Sequence, residues 1–158
     1  MPPKASPARV EPEAAIPYTT AIAGLANLSR RLFRERLAGE SWVVEAGLKQ
    51  GCYGAMTWIN RLEPVSQKRV ATELGRDPSD LVEVIDILER AGFVARERDD
   101  RDRRRYSLRL TPTGRGALAR FDAVAADVED EALGALSPRE RAQFEHLVRK
   151  VFSRLAGR

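Results

Sequence analysis

Two short helical segments joined by a Gly-Arg turn, a change of apolar period from 3.6 to 2 directly after them, and amphipathic helices on both flanks predict one fold class. It is mainly α-helical with a small β-hairpin wing, a winged helix-turn-helix. The first observation lies in SQKRVATELGRDPSDLVEVIDILERAG (66–92). Ser66 suits an N-cap and Gly75 a C-terminal stop, with Val70, Ala71 and Leu74 forming one apolar face between them. After Arg76, Asp77 suits the next N-cap, Pro78 the first helical position and Asp80 a capping-box-like place. Leu81, Val84, Ile85 and Leu88 then fall at i, i+3, i+4 and i+7, and Gly92 ends the run.

The second observation is the alternation in residues 93–98 and 105–110, which puts Tyr106, Leu108 and Leu110 on one face of a strand. A two-stranded hairpin is marginal alone, so it must lean on the helices before it. The third is the pair of flanks. Residues 18 to about 40 step through Ile22, Leu25, Leu28 and Leu32 and stop at Gly39. Thr111-Pro112 opens a long helix through Leu118, Phe121, Val124, Ala125 and Val128 to about Leu136. Ser137-Pro138-Arg139-Glu140 is a capping box for a last helix through Phe144, Leu147, Val148, Val151 and Leu155. Between the flank and the first short helix, residues 42–47 read as a connection, either irregular or with a short helical turn. An apolar segment follows over 48–62, weakened by Gly51 and Gly54 and closed by Pro64. Residues 1–17 hold five prolines and no apolar period, an extended or disordered arm.

Composition narrows the function. The 158 residues are about one domain's worth, 43% apolar and 32% charged, as in a soluble globular chain. One Cys and one His leave neither an intramolecular disulfide nor a well-supplied zinc or Cys–His catalytic site. No apolar run approaches 18 residues and the start lacks a signal-peptide core, so a cytoplasmic protein without a membrane partner is expected. Gly-rich phosphate loops, nucleophile elbows and metal-ligand spacings are missing, which argues against an enzyme and leaves no cofactor and no metal in the expectation. Of 27 cations only Lys4, Lys49, Lys68 and Lys150 are lysines. The bulk of that bias reads as genome composition, so functional weight rests on local Arg clusters.

The segments 66–94, 96–114 and 136–147 are together similar to the MarR family of bacterial transcriptional regulators, most specifically in the Asp102-Arg103-Arg104 of the wing. The resemblance covers residues 18 to about 156. It implies a homodimer joined through the first and last two helices, with two winged-helix lobes gripping double-stranded DNA at an inverted-repeat operator. The implied division is an arm (1–17), an N-terminal dimerisation helix with its connection (18–47), the DNA-binding lobe (48–110) and C-terminal dimerisation helices (111–158). The implied activity is repression of nearby genes, relieved by a small phenolic or lipophilic ligand or by an oxidant.

The residues also speak for DNA on their own. Six arginines stand between Arg96 and Arg105, and Arg at a wing tip suits a narrow minor groove; Arg101, Arg103 and Arg104 are the candidates there. The alternative is a solvated tip with internal Asp–Arg pairs. Ser66, Gln67, Lys68 and Arg69 begin the helix that crosses the DNA backbone in helix-turn-helix proteins, and Arg76 follows in the turn. Opposite the apolar face of the second helix lie Ser79, Val82, Glu83, Asp86 and Arg90, the groove-facing set. Five acids and one Arg between Asp77 and Arg90 depart from the family habit of Ser, Thr and Arg there. Three readings are open: Asp77 and Asp80 cap the helix, Asp86 pairs with Arg90 at i, i+4, and Glu83 accepts from cytosine N4 while Val82 touches a thymine methyl. If none holds, the helix repels phosphate, which would favour a winged-helix protein-interaction module without specific DNA binding.

A ligand pocket between the dimer helices and the lobe would draw on Trp42, Tyr53 and Trp58, with Tyr18, Arg30 or Arg34 meeting a phenolate or carboxylate; plain core packing is the alternative. Cys52, with Lys49 one turn before it, is the candidate for a thiol-based oxidant sensor, against a buried structural role. His146 in the last helix reads as a solvated or interface residue.

Overall fold

The computed structural model describes residues 16–98 and 106–156. In chain order the elements are α1 (Tyr18–Ala38), α2 (Ser41–Glu45), α3 (Cys52–Leu62), α4 (Gln67–Leu74), α5 (Pro78–Arg90), β1 (Val94–Arg98), β2 (Tyr106–Leu110), α6 (Pro112–Ala132) and α7 (Pro138–Ala156). The helix starts follow local chemistry. Ser66 Oγ accepts from the Arg69 N–H, Asp77 from the Ser79 N–H and Thr111 Oγ1 from the Gly114 N–H, each supplying an acceptor that the first helical turn lacks. At α7, Glu140 Oε2 accepts from both the backbone N–H and the hydroxyl of Ser137, at 2.9 and 2.6 Å, while the Glu140 N–H reaches back to Ser137 Oγ. Gly75 ends α4 at φ +62°, a left-handed conformation that a side chain would strain.

The expected 48–62 segment begins as a helix only at Cys52, because Gly47 and Gly51 both take positive φ and turn the chain on either side of Leu48–Gln50. The long helix α6 stops at Ala132 rather than Leu136, and Gly134 and Leu136 take up turn hydrogen bonds.

The hairpin pairs antiparallel from Val94↔Leu110 to Arg98↔Tyr106. It leans on the lobe, as its marginal size requires. Val65 and Leu108 exchange both backbone hydrogen bonds, at 3.2 and 2.7 Å, and the Leu110 N–H donates to Glu63 Oε2 at 2.7 Å. Thr111 ties the start of α6 to the turn before β1, donating through its hydroxyl to the Gly92 carbonyl at 2.6 Å. Gly114 sits so close to that turn that a Cβ there would lie 2.0 Å from the Phe93 oxygen.

The core gathers Met56 and Ile59 from α3, Val70 from α4, Leu81, Ile85 and Leu88 from α5, Leu108 from β2 and Phe121 from α6, each at most 1% exposed. It is continuous from Trp42 to Phe121, so the first half of α6 packs into the same core as the helix-turn-helix. Tyr106, expected on the inner face of its strand, is 53% exposed, because only Leu108 and Leu110 on that face reach the helices. The apolar stripe of α1 is likewise not inside the chain: α1 has no buried residue, and Ile22, Leu25 and Leu28 face outward. Leu147, Val148, Val151, Phe152 and Leu155 on α7 are exposed too. Among the described residues no helix is long and apolar enough to cross a membrane, and no group of three His, Cys, Asp or Glu side chains could hold a metal ion.

Candidate nucleic-acid interface and an adjoining cavity

α4 and α5 meet across the Gly75–Asp77 turn, and α5 buries Leu81, Val84, Ile85, Ile87 and Leu88. Its other side leaves Ser79, Val82, Glu83 and Arg90 exposed, with Asp86 half-buried. Gln67 is half-buried, and Ser66, Lys68, Arg69 and Arg76 are exposed near the start of α4 and in the turn. Arg69 is not free: it pairs with Glu73 at 2.5 Å. The wing candidates Arg101, Arg103 and Arg104 lie outside the described residues.

Of the five acids between Asp77 and Glu89, all but Asp80 meet side-chain or backbone partners among the described residues. Asp77 accepts both the Ser79 N–H at 2.8 Å and the Ser79 hydroxyl at 2.6 Å, and these hydrogen bonds hold its carboxyl below the usual range. Asp86 pairs with Arg96 of β1 at 2.6 Å, and the same guanidinium reaches Glu89 at 3.5 Å. The pairing of Asp86 with Arg90 is therefore corrected: Arg90 Nε donates instead to the Asp86 backbone carbonyl at 3.2 Å. Glu83 accepts from Lys49 Nζ, an ion pair between α5 and the loop before α3. Neither partner was legible beforehand, since Arg96 stands ten residues away on a strand and Lys49 stands 34 residues away.

Beside this unit lies a cavity of about 390 Å³ between α1, the 43–51 segment, α3 and α6. Its walls are apolar, with Phe33, Leu37, Val43, Leu48, Tyr53 and Phe121 prominent, and four cations line it as well: Arg30, Arg34, Lys49 and Arg76. Tyr53 packs against Phe33 and Phe121 with ring centroids 5.0 and 5.5 Å apart, and its hydroxyl donates to Asp122 Oδ1 at 3.0 Å. Burial first, then the Asp122 carboxylate, pushes the Tyr53 phenol up to about 12.

Of the residues expected around a ligand, the structure brings Tyr53, Arg30 and Arg34 to this cavity. Trp42 and Trp58 stand elsewhere. Trp42 is core: its ring meets Phe121 edge-on at 4.8 Å, its indole N–H donates to Glu40 at 2.8 Å, and the Arg120 guanidinium covers it at 4.3 Å. Trp58 stacks on Phe152 of α7 at 6.2 Å, and Tyr18 is 77% exposed at the start of α1. Arg76, read from the sequence as a DNA contact, also lines the cavity, its guanidinium lying over Gly51. The sequence gives no sign of that second position, nor of Phe33, Leu37 and Phe121 as cavity walls. Cys52 is fully buried, and burial pushes its thiol up, away from the thiolate that a sensor needs.

The model of the MarR family matches residues 50–106, from just before α3 to the first residue of β2. A proposed transcriptional regulatory protein for the hcr operon of Thauera aromatica is 32% identical over 106 residues, spanning 67% of this chain and 64% of that protein. The transcriptional regulator HosA of Escherichia coli is 31% identical over 125 residues, 78% of this chain and 91% of HosA. Among solved structures, MarR superposes with a TM-score of 0.79 at 22% identity, over 92% of this chain and 95% of that one. The Mycobacterium tuberculosis MarR-family protein Rv2887 in complex with DNA gives 0.69 at 20% identity, over 87% and 98%. CouR of Rhodococcus jostii RHA1 bound to p-coumaroyl-CoA gives 0.68 at 22%, over 85% and 91%.

Proposed function

This chain belongs to the MarR family of transcriptional regulators, and we propose that it is a homodimeric repressor that grips an inverted-repeat operator and lets go when a small molecule fills the α1–α3–α6 cavity. The observation that carries the reading is the α4–α5 unit. Both helix starts are capped by their own side chains, α5 is anchored by five buried apolar residues, and its outward face presents Ser79, Val82, Glu83 and Arg90. In this reading α5 enters the major groove, Ser66, Gln67, Lys68 and Arg69 lie along phosphates, and the wing arginines Arg101, Arg103 and Arg104 reach the minor groove. Pairing of Asp86 and Glu89 with Arg96, and of Glu83 with Lys49, weighs against a protein-interaction module.

Dimerisation follows from the exposed apolar stripes of α1 and α7, which a second copy would cover. The Rv2887–DNA complex and the p-coumaroyl-CoA complex of CouR support the DNA partner and the small-molecule partner for a chain of this fold. The cavity, with apolar walls and cations among its lining, suits a ligand with an apolar body. Cytoplasmic location and the lack of an enzymatic activity go with the same reading.

Fluorescence anisotropy tests it, using duplex DNA from upstream of the gene and a scrambled duplex, each at two salt concentrations. Binding selective for the upstream DNA and falling steeply with salt is the expected result. Equal weak binding to both duplexes, with no tighter site recovered by selection from random DNA, would overturn it.

A further inference from the structure

Ser79, Glu83, Asp86 and Arg90 recur at i, i+4, i+7 and i+11 and form one outward stripe along α5. Three of them are engaged within the helix or by the hairpin. The Ser79 hydroxyl donates to Asp77, Arg90 Nε donates to the Asp86 carbonyl, and the Asp86 carboxylate is drawn to Arg96 of β1. Glu83 differs. The ammonium of Lys49 reaches it at Oε1 from the loop before α3, and its side chain is still 68% exposed. A carboxylate offers about four acceptor sites on two oxygens, so one ammonium at Oε1 leaves it capacity to accept from another donor.

We propose that Glu83 selects cytosine at one position of each operator half-site, and that Lys49 is the positioning residue that lets it do so. This rests on the reading of the chain as an operator-binding regulator and deepens it by naming the base chemistry that α5 recognises. A carboxylate only accepts hydrogen bonds, and in the major groove only cytosine N4 and adenine N6 donate them. Guanine and thymine present acceptors there, which repel it. Adenine sets its N7 acceptor beside N6, against the second carboxylate oxygen, whereas cytosine carries only a C–H beside N4. A bare glutamate would also repel the flanking phosphates and would give up its water at a cost. Lys49 offsets both effects. It brings a positive charge to the carboxylate from the protein side, and it restricts the side chain before DNA arrives, so less rotamer freedom is lost on binding. In the free chain the pair is open to water and therefore weak. With α5 in the groove that water is displaced, and the attraction grows as screening falls. The acid that looks misplaced on a DNA-reading helix is thereby a selector rather than a repellent.

Parallel selections from random duplexes test this, with the full-length wild type and with Glu83→Gln. Anisotropy then measures the duplexes that differ only where the two selections diverge. The wild type is expected to bind cytosine at that position roughly fivefold or more tighter than guanine or thymine. Glu83→Gln should move the preference to adenine, whose N6 and N7 a carboxamide meets together, and should leave the other positions as they were. Lys49→Met should lose most of the cytosine preference and Lys49→Arg should keep it, whereas loss of a mere phosphate-facing cation would weaken every duplex equally. If Glu83→Gln tightens binding to all duplexes by one factor, Glu83 is only a repellent charge, and the proposal is overturned while the operator-binding reading stands. If Lys49→Met keeps the full cytosine preference, the positioning role of Lys49 is overturned. If the wild type selects no sequence at all, the operator-binding reading falls and this proposal with it.

Discussion

The helix-turn-helix lobe and the two outer helices carry the same kind of apolar stripe and use it in opposite ways. In the lobe, Leu81, Ile85 and Leu88 of α5 meet Met56, Ile59, Val70 and Leu108 inside one chain, and all are at most 1% exposed. On α1 and α7, Ile22, Leu25, Leu28, Leu147, Val148, Val151, Phe152 and Leu155 repeat at helical spacing but stand between 41% and 61% exposed. A 3.6-residue period therefore specifies that a face exists and leaves open what covers it. The lobe finds its cover within 70 residues of chain, whereas the outer helices offer theirs to another molecule. The two regions touch chiefly where α1 packs on α6 and where Trp58 stacks on Phe152. The cavity sits at that seam, with Arg30 and Arg34 from the outer helix facing Lys49 and Arg76 from the lobe side.

The largest effect is expected inside the lobe. Leu88→Ala removes a fully buried side chain and should destabilise the protein by about 2–5 kcal/mol in chemical denaturation. It should do so equally at all protein concentrations. A loss that grew with dilution would mean that the lobe depends on the outer helices more than its burial indicates.

Next comes the outer stripe. Val151→Asp puts a carboxylate on the exposed apolar face of α7, where a covered interface would charge at least about 2 kcal/mol for it. Sedimentation or light scattering should then show a smaller species at micromolar concentration, with the helical content of the lobe retained. An unchanged mass would remove α7 from the dimer interface.

Thr111→Ala tests the joint between the regions. It deletes the cap of α6 and the hydrogen bond to Gly92, and should cost about 1 kcal/mol in a thermal or denaturant melt. A null effect would mean that the backbone bond from the Thr111 N–H to Phe93 suffices.

The smallest effect is acid sensitivity, and each region holds one source of it. Hydrogen bonds from Ser79 hold the Asp77 carboxyl, and those from Ser137 the Glu140 carboxyl, below their ordinary values. Both groups have depressed values in the folded chain, so their contribution is present above those ordinary values and lost as pH falls through the lower folded ones. Melting temperature measured from pH 6 down to 2 should therefore decline less steeply in Asp77→Asn than in the wild type. Identical slopes would make this cap irrelevant to acid unfolding.

What could be read from the sequence shares one property: it is settled within a few residues along the chain. The caps at Ser66, Asp77, Thr111 and Ser137 bond to groups two or three positions on, so residue type and spacing suffice to place them. The helical period of α5 and the alternation of β2 are equally local, and the similarity of 66–94 to known regulators made their combination recognisable. Where an aromatic side chain ends up is not local. Trp42 and Tyr53 look alike as ligand candidates, yet Trp42 turns into the core against Phe121 and Tyr53 into the cavity wall, because the positive-φ glycines at 47 and 51 reorient the chain between them.

The same holds for charge. The acidity of α5 was plain in the sequence, but its sign as a DNA-binding surface depends on Lys49 and Arg96, which only the folded chain brings to Glu83 and Asp86. The sequence by itself determined the long helices, the capped starts of α4 to α7, the strands of the hairpin and the family. Tertiary structure alone decided which stripes were covered, which aromatics faced a cavity and which acids were neutralised. Local bonds act over one helical turn and can be counted along the chain, whereas a Coulomb pair or a packed wall depends on distance in space between segments many residues apart.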